Sequence, residues 1–182
     1  MKNYLFVLGR DPELSALEII SYLETYNLDW ELKSYDKEVS IFSIKNFDFA
    51  KAIEKLGGTI KIGLIISEGK LENLDVYDGV KNKLSYCISL YGKSSLTSKF
   101  EDYLGLWFKE NKIRATRRRR DKINLTPRDL SSNVVEFLLY KNYIAKSVAV
   151  SNPAEYKKRD KERPRNDFLR SISIRLAKIL IN

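Results

Sequence analysis

Histidine is absent from all 182 residues, and cysteine occurs once, at position 87. Without imidazole there is no Ser-His-Asp triad, no Cys-His dyad and no histidine-ligated zinc or iron. The lone Cys87 excludes an internal disulfide and a cysteine metal cluster, and it suits a reducing, cytoplasmic setting. Glycine is scarce, and none of the eight glycines forms a G-x-G pattern, so neither the dinucleotide fingerprint nor a P-loop is present. Asp-Pro-Pro and Asn-Pro-Pro are also missing, and no cofactor pocket is expected in this chain. There is neither a basic segment leading into an apolar stretch at the start nor an apolar run long enough to span a bilayer, so export and membrane insertion are not expected. The neighbouring acids Glu101-Asp102 and Asp75 with Asp78 read as helix-surface charges, with neither catalysis nor a metal implied by their spacing.

What remains is 43% apolar and 31% charged, the profile of a globular chain of one or two domains that buries roughly 70% of its unfolded surface without staples. The formal net charge of +9 is unevenly shared. Residues 1–91 hold 11 Lys and Arg against 14 Asp and Glu, a net −3, whereas residues 92–182 hold 22 against 10, a net +12. Solubility would be served by dispersed charge. Segregated charge points to a polyanionic partner met by the second half.

The first half reads as alternating elements. Tyr4 to Leu8 is a short apolar run suited to a strand. Asp11-Pro12-Glu13 then supplies an N-cap, a first-turn proline and an acid that suits the helix dipole. Ala16, Ile19, Ile20 and Leu23 follow at helical spacing. Residues 29–35 and 38–44 read as two strands joined around Asp36-Lys37. Phe49, Ala52, Ile53 and Leu56 repeat the helical spacing, and Gly57-Gly58 closes it as residues that tolerate a left-handed turn. Ile60, Ile62, Leu64 and Ile66 alternate as a strand. The order β-α-β-β-α-β over residues 1–67 is the ferredoxin-like arrangement.

Past Ser67 the pattern predicts a helix near residues 76–84, a strand over Tyr86 to Tyr91, and a helix whose inner face carries Phe100, Tyr103, Leu104 and Trp107. A short strand from Ile113 and Ala115 runs into arginines. Thr126-Pro127-Arg128-Asp129 opens a capped helix with Leu130, Val134, Phe137 and Leu138 inward. Ile144, Val148 and Val150 form a last strand. Residues 156–167 read as a polar linker, followed by an amphipathic stretch from Ile172 to Ile181. The fold class is α+β, with a second α/β unit after the ferredoxin-like one.

Lys112, Arg114, Arg117, Arg118, Arg119, Arg120, Lys122 and Arg128 form the densest signal, with five of the six residues from 117 to 122 cationic. Such a run repels itself, and phosphates bound by guanidinium forks with counterion release are the usual compensation. Ser131 and Ser132, read as first-turn residues of the following helix, add hydroxyls and free N–H groups as a second phosphate site. A merely solvated loop is the plain alternative. A second basic stretch with Lys157, Lys158, Arg159, Arg163 and Arg165 is interrupted by acids, and reads equally as a secondary RNA contact or an ordinary charged linker. Among aromatics that could stack on unpaired bases, Tyr103 and Trp107 share the core face of Phe100. Tyr91, beside Gly92 and Lys93, is the one expected to be exposed, which makes Tyr91 and Lys93 candidate RNA contacts.

Four segments occur together and in order: Tyr4-Leu5-Phe6-Val7-Leu8-Gly9-Arg10-Asp11-Pro12-Glu13-Leu14-Ser15, Ile88-Ser89-Leu90-Tyr91-Gly92-Lys93, Leu130-Ser131-Ser132-Asn133-Val134-Val135, and Arg159-Asp160-Lys161-Glu162-Arg163-Pro164-Arg165-Asn166-Asp167 with Arg175-Leu176-Ala177-Lys178-Ile179-Leu180-Ile181-Asn182. In this combination the chain resembles the front portion of tRNA guanine-N2-methyltransferases that carry a THUMP domain. The resemblance implies a ferredoxin-like domain (1–67), a THUMP-like RNA-binding domain (68–152), and a charged linker with the start of a missing methyltransferase domain (153–182). It implies tRNA as partner, gripped at its acceptor stem and 3′ end. S-adenosylmethionine and catalysis would then belong to a Rossmann-like methyltransferase domain on a separate chain, and this chain would not be an enzyme on its own. A stand-alone RNA-binding adaptor or chaperone for another tRNA-modifying enzyme is the alternative.

Overall fold

Proline in a first helical turn with an acid beside it favours a helix start, and in the computed structural model, which describes residues 1–79, 81–118, 125–162 and 172–182, helices begin at Pro12, Pro127 and Pro153. In α1 (Pro12–Thr25) the Asp11 side chain makes no capping hydrogen bond; Ser15 Oγ instead donates to the Asp11 carbonyl at 2.7 Å. The buried stripe of α1 is Ser15, Glu18, Ile19, Tyr22 and Leu23, more polar than the apolar spacing predicts. The reason is the turn after α2 (Phe49–Lys55): Glu18 accepts hydrogen bonds from the main-chain N–H groups of Gly57 and Gly58, both at 2.8 Å. A Cβ on Gly58 would lie 2.4 Å from Ser15 Oγ. Close approach, and not the left-handed backbone expected there, is what requires glycine: positive φ among glycines is confined to Gly69 and Gly92.

Strands β1 (Lys2–Leu8), β2 (Trp30–Tyr35), β3 (Val39–Ile44) and β4 (Thr59–Glu68) are ordered β2-β3-β1-β4, every pair antiparallel. This is the expected ferredoxin-like unit. The second unit contributes β5 (Lys83–Leu90), α3 (Thr97–Glu110), β6 (Arg114–Arg117), α4 (Pro127–Leu130), β7 (Val134–Tyr140) and β8 (Tyr143–Val150), followed by α5 (Pro153–Glu162) and α6 (Ile174–Ile181). Pairing of β8 with β4 merges both units into one eight-stranded sheet, β2-β3-β1-β4-β8-β7-β5-β6. β5 is parallel to both of its neighbours, β7 and β6, and β6 closes the row.

Three expected elements differ. No helix forms within residues 71–79; Leu74 and Val76 alternate into the core from extended chain before β5 begins at Lys83. The helix expected across residues 126–138 lasts one turn, after which Asn133 takes a left-handed φ of 62° and β7 starts. β7 is covered on both faces, and a doubly buried strand has a continuous apolar run that helical spacing also fits. The supposed linker is helical over Pro153–Glu162, with i,i+4 ion pairs Arg159–Glu155 and Lys158–Glu162 along it of the kind that support exposed helices.

Phe6, Ile19, Leu23, Phe42, Leu56 and Ile62 pack together in the first unit, and Phe100, Leu104, Phe137, Leu139 and Ile144 in the second. Residues that alternate with these along the strands, Leu5, Val7, Val39, Ile41, Leu138, Tyr140 and Ala145, form another cluster on the opposite face. Buried on that face, Lys61 of β4 meets Glu136 of β7 at 2.5 Å, and Ser89 Oγ of β5 donates to the same carboxylate oxygen at 2.5 Å. Among the described residues no helix is long and apolar enough to cross a membrane.

Removing one member of a buried pair strands the other charge, which costs about 3–5 kcal/mol, whereas replacing both by apolar groups of similar volume is far milder. We therefore expect Lys61→Met to lower stability by about that amount and Lys61→Met/Glu136→Leu to recover most of it, as read from urea unfolding midpoints.

Candidate functional site

β6 is an edge strand: it pairs with β5 and ends the row. Ala115 turns into the α3 core, while Arg114, Thr116, Arg117 and Arg118 are exposed. Lys112, in a left-handed turn with φ 54°, releases the chain from α3 just before the strand. α4 adds exposed Arg128 beside this edge, because the Arg118 guanidinium reaches Asp129 of α4 at 3.3 Å. Lys112, Arg114, Arg117, Arg118 and Arg128 are thus brought to the β6–α4 end of the sheet. Lys93 is exposed but follows the opposite, C-terminal end of β5, past Gly92. The expected contacts Arg119, Arg120, Lys122, Arg163 and Arg165 lie outside the described residues.

Carboxylates already hold part of this charge. Both terminal nitrogens of Arg117 donate to Glu101 of α3, at 2.7 and 2.6 Å. Asp129 closes a capping box with Thr126, accepting from its N–H at 2.9 Å and its hydroxyl at 2.8 Å. Those hydrogen bonds, led by the Thr126 N–H and reinforced by Arg118, hold the Asp129 carboxyl below its usual range. Asp75 and Asp78 act likewise as counter-charges to Lys146, at 3.3 and 3.7 Å.

Two expectations are corrected. Ser131 and Ser132 follow the last turn of α4 and do not open a helix. Their hydroxyls donate to the carbonyls of Arg128 and Asp129, both at 3.0 Å, and the first turn belongs to the Thr126–Asp129 capping box, so a helix-start anion site with those serines in it is not formed. Tyr91 is only 5% exposed and packs with Leu138 and Tyr140. Burial first, and then the carboxylates of Glu136 and Glu38, push its phenol well above the ordinary value. Its ring is a core side chain with no face open to a base. Tyr103 and Trp107 pack against the α3 core, as expected.

Sequence reasoning missed the C-terminal helices as walls of a cleft. A cleft of about 930 Å³ opens between α2, α4, the end of β8, α5 and α6, with Ile53, Leu130, Ser131, Asn152, Tyr156 and Lys178 among its lining. Tyr156 carries two cations from α6 over its ring, the Arg175 guanidinium at 4.9 Å and the Lys178 ammonium at 5.0 Å. Lys178 Nζ also donates to the Glu54 carbonyl at 2.6 Å, which ties α6 to α2. The i,i+4 charge pairs of α5 were the available signal for this wall. Lys157, Lys158 and Arg159, expected as secondary contacts, are all exposed on α5, and the latter two are engaged by Glu162 and Glu155.

The chain is similar in fold to PH1313 from Pyrococcus horikoshii Ot3. The two superpose with a TM-score of 0.51 at 11% identity, over 84% of this chain and 56% of that one. A 4-thiouridine synthetase solved as an RNA complex with bound ATP aligns at 10% identity over 84% of this chain and 42% of its own, with a TM-score of 0.47. A possible methylase from Clostridium difficile 630 aligns at 10% identity over 80% and 41%, with a TM-score of 0.45. At these identities the likeness concerns fold alone, and the last two scores carry no argument. The chain spans little more than half the length of PH1313 and about two fifths of the other two. No protein-family model matches the sequence, and no curated protein matches it. The fold class expected from the sequence, α+β with a ferredoxin-like unit followed by a second α/β unit, is the fold class observed.

Cys87 reports on how firmly α4 covers the sheet beneath this site. It is fully buried with Leu125, Val134 and Val150, against Leu130 of α4. Burial, aided by the Glu136 carboxylate, pushes its thiol up to about 12, so at pH 8 the reactive thiolate is rarer than in a free cysteine. Alkylation of the folded protein at that pH should run on the order of 10³ more slowly than for an exposed thiol. Leu130→Ala should speed it by thinning the cover, as followed by mass spectrometry.

Proposed function

We propose that this chain is the tRNA-binding part of a tRNA-modifying enzyme, of the THUMP-containing guanine-N2-methyltransferase kind. The observation that carries the reading is the gathering of Lys112, Arg114, Arg118 and Arg128 at one open sheet edge, on the half of the chain with a net charge of +12. Guanidinium groups spaced along an edge strand and the adjoining helix turn follow a phosphate backbone, and they bind it largely by counterion release. The acceptor stem of a tRNA supplies such a backbone. The cleft below α4 offers room for the unpaired 3′ end, with Ser131 at its wall and exposed Lys157 on the neighbouring α5. The four ordered sequence segments and the ferredoxin-like order of the first unit support the same reading.

In this proposal residues 1–67 and 68–152 form the ferredoxin-like and THUMP-like domains, and residues 153–182 lead toward a catalytic domain. Catalysis and S-adenosylmethionine belong to that Rossmann-like domain on a partner chain, to which this chain presents the target guanine in the cytoplasm. Arg119, Arg120, Lys122, Arg163 and Arg165 are proposed to extend the same phosphate contacts, and Lys93, beyond the opposite end of β5, to make a separate one.

The test is the salt dependence of tRNA binding, measured by fluorescence anisotropy. Each phosphate contact contributes about 0.7 to 0.9 to the slope of log K against log salt. Joint replacement of Arg114, Arg118 and Arg128 by alanine should weaken binding and flatten that slope by about 2 to 3 units. An unchanged slope would overturn the placement of RNA on this edge.

A further inference from the structure

Two kinds of arginine stand at the β6 edge. Arg114 and Arg128 are exposed and have no carboxylate partner among the described residues. Arg117 is held differently. Its two terminal nitrogens meet the two oxygens of Glu101 at 2.7 and 2.6 Å, the same two-pronged geometry that a guanidinium adopts on a phosphate. Glu101 is carried by α3, which Phe100, Leu104 and Phe108 anchor in the core, so the carboxylate is presented by a fixed element. The fork is not sealed: the side chains are 36% and 32% exposed, and an incoming anion can reach it.

We infer that Glu101 occupies Arg117 in place of an RNA phosphate and thereby sets which polyanions this edge accepts, an inference that rests on the RNA reading above. Exchanging a carboxylate for a phosphate on one guanidinium trades like for like, so Arg117 contributes little to a loosely held polyanion. A phosphate already positioned by contacts at Arg114 and Arg128 competes at a high effective concentration and displaces the carboxylate. Arg117 then adds its two charge-assisted hydrogen bonds only to a backbone that fits the edge. Glu101 is in this sense a specificity-determining residue that touches no RNA itself. Asp129 plays a parallel part toward Arg118, but its capping box with Thr126 makes it a poor site for a clean substitution.

Glu101→Gln keeps the shape of the side chain and removes the charge that holds Arg117. Releasing an exposed ion pair is expected to tighten tRNA binding by about two- to fivefold. Binding of heparin, the nonspecific polyanion used as probe, should tighten by at least as much, so that the ratio of the two affinities falls. The control is Asp102→Asn on the next residue of α3, which is exposed and has no cationic partner among the described residues. It removes the same charge without freeing an arginine, and its effect should be smaller. In an Arg117→Ala background, Glu101→Gln should do no more than Asp102→Asn. Equal gains from Glu101→Gln and Asp102→Asn, or a Glu101→Gln gain that survives Arg117→Ala, would overturn the inference, because only net charge would then matter. If removal of Arg114, Arg118 and Arg128 leaves tRNA binding intact while the Glu101 and Arg117 cycle holds on heparin, the RNA reading fails and the carboxylate gate stands.

Discussion

The contact between Lys61 and Glu136, buried with Ser89 hydrogen-bonded to the same oxygen, is the constraint on which the relation of the two units depends. Lys61 stands on the last strand of the ferredoxin-like unit, and Glu136 on the strand beyond β8 in the second. A charge with almost no solvent exposure is tolerable only while its partner is in place, so the two units cannot slide past each other along the β4–β8 seam without stranding it. Main-chain hydrogen bonds alone would permit a register slip, which flips every side chain to the other face. The polar trio makes such slips costly. The register of β8, and through β7 and β5 that of the cationic β6 edge, is inherited from it.

The edge itself works by a balance of like geometries. Cations crowded along one edge repel one another, and the fold relieves part of that repulsion with Glu101 and Asp129, each set on an element that is anchored independently of the strand. Exposed ion pairs of this sort contribute little to stability. In the proposed RNA reading their consequence is for binding: they decide which arginines are free in the unliganded protein and which must be won from a carboxylate.

The C-terminal helices depend on the Gly57-Gly58 turn. A Cβ on Gly57 would lie 2.4 Å from the Arg175 carbonyl and 2.7 Å from Lys178 Cβ, so α6 sits directly on glycine main chain. Asn182 then donates to Glu18 at 2.8 Å, and Ser21 Oγ donates to the Asn182 carbonyl at 2.6 Å. Glu18 therefore serves the turn and the end of α6 together, and the Tyr156 ring under Arg175 and Lys178 couples α5 to the same platform. The α6 wall of the cleft is thus held in place by a buried acid, two glycines and a tyrosine, none of which belongs to a recognisable motif.

The ferredoxin-like order was readable because α1, α2 and β4 each carry their own period, 3.6 for the helices and 2 for β4, and because the apolar run of β1 is too short for a helix. The absence of histidine and the segregation of charge were likewise properties of the chain before any folding, and they excluded whole classes of chemistry on composition alone. The second half was less legible where strands are covered on both sides. Val134, Val135, Phe137 and Leu138 satisfy a helical stripe as well as a buried strand, and only the pairing of β7 with β5 and β8 chooses between them. Whether a tyrosine is a stacking platform or a core residue is not local information either. Tyr91 follows β5 beside a glycine turn, yet it is buried in one cluster with Leu138 and Tyr140 of the neighbouring β7. A capping box announces a helix but not its length, which is fixed by tertiary burial of the residues that follow, so Ser131 and Ser132 stand past the last turn of α4 and not in its first. Charge and periodicity are written in the chain residue by residue, whereas exposure, helix length and the pairing of Arg117 with Glu101 depend on which distant segments arrive beside them.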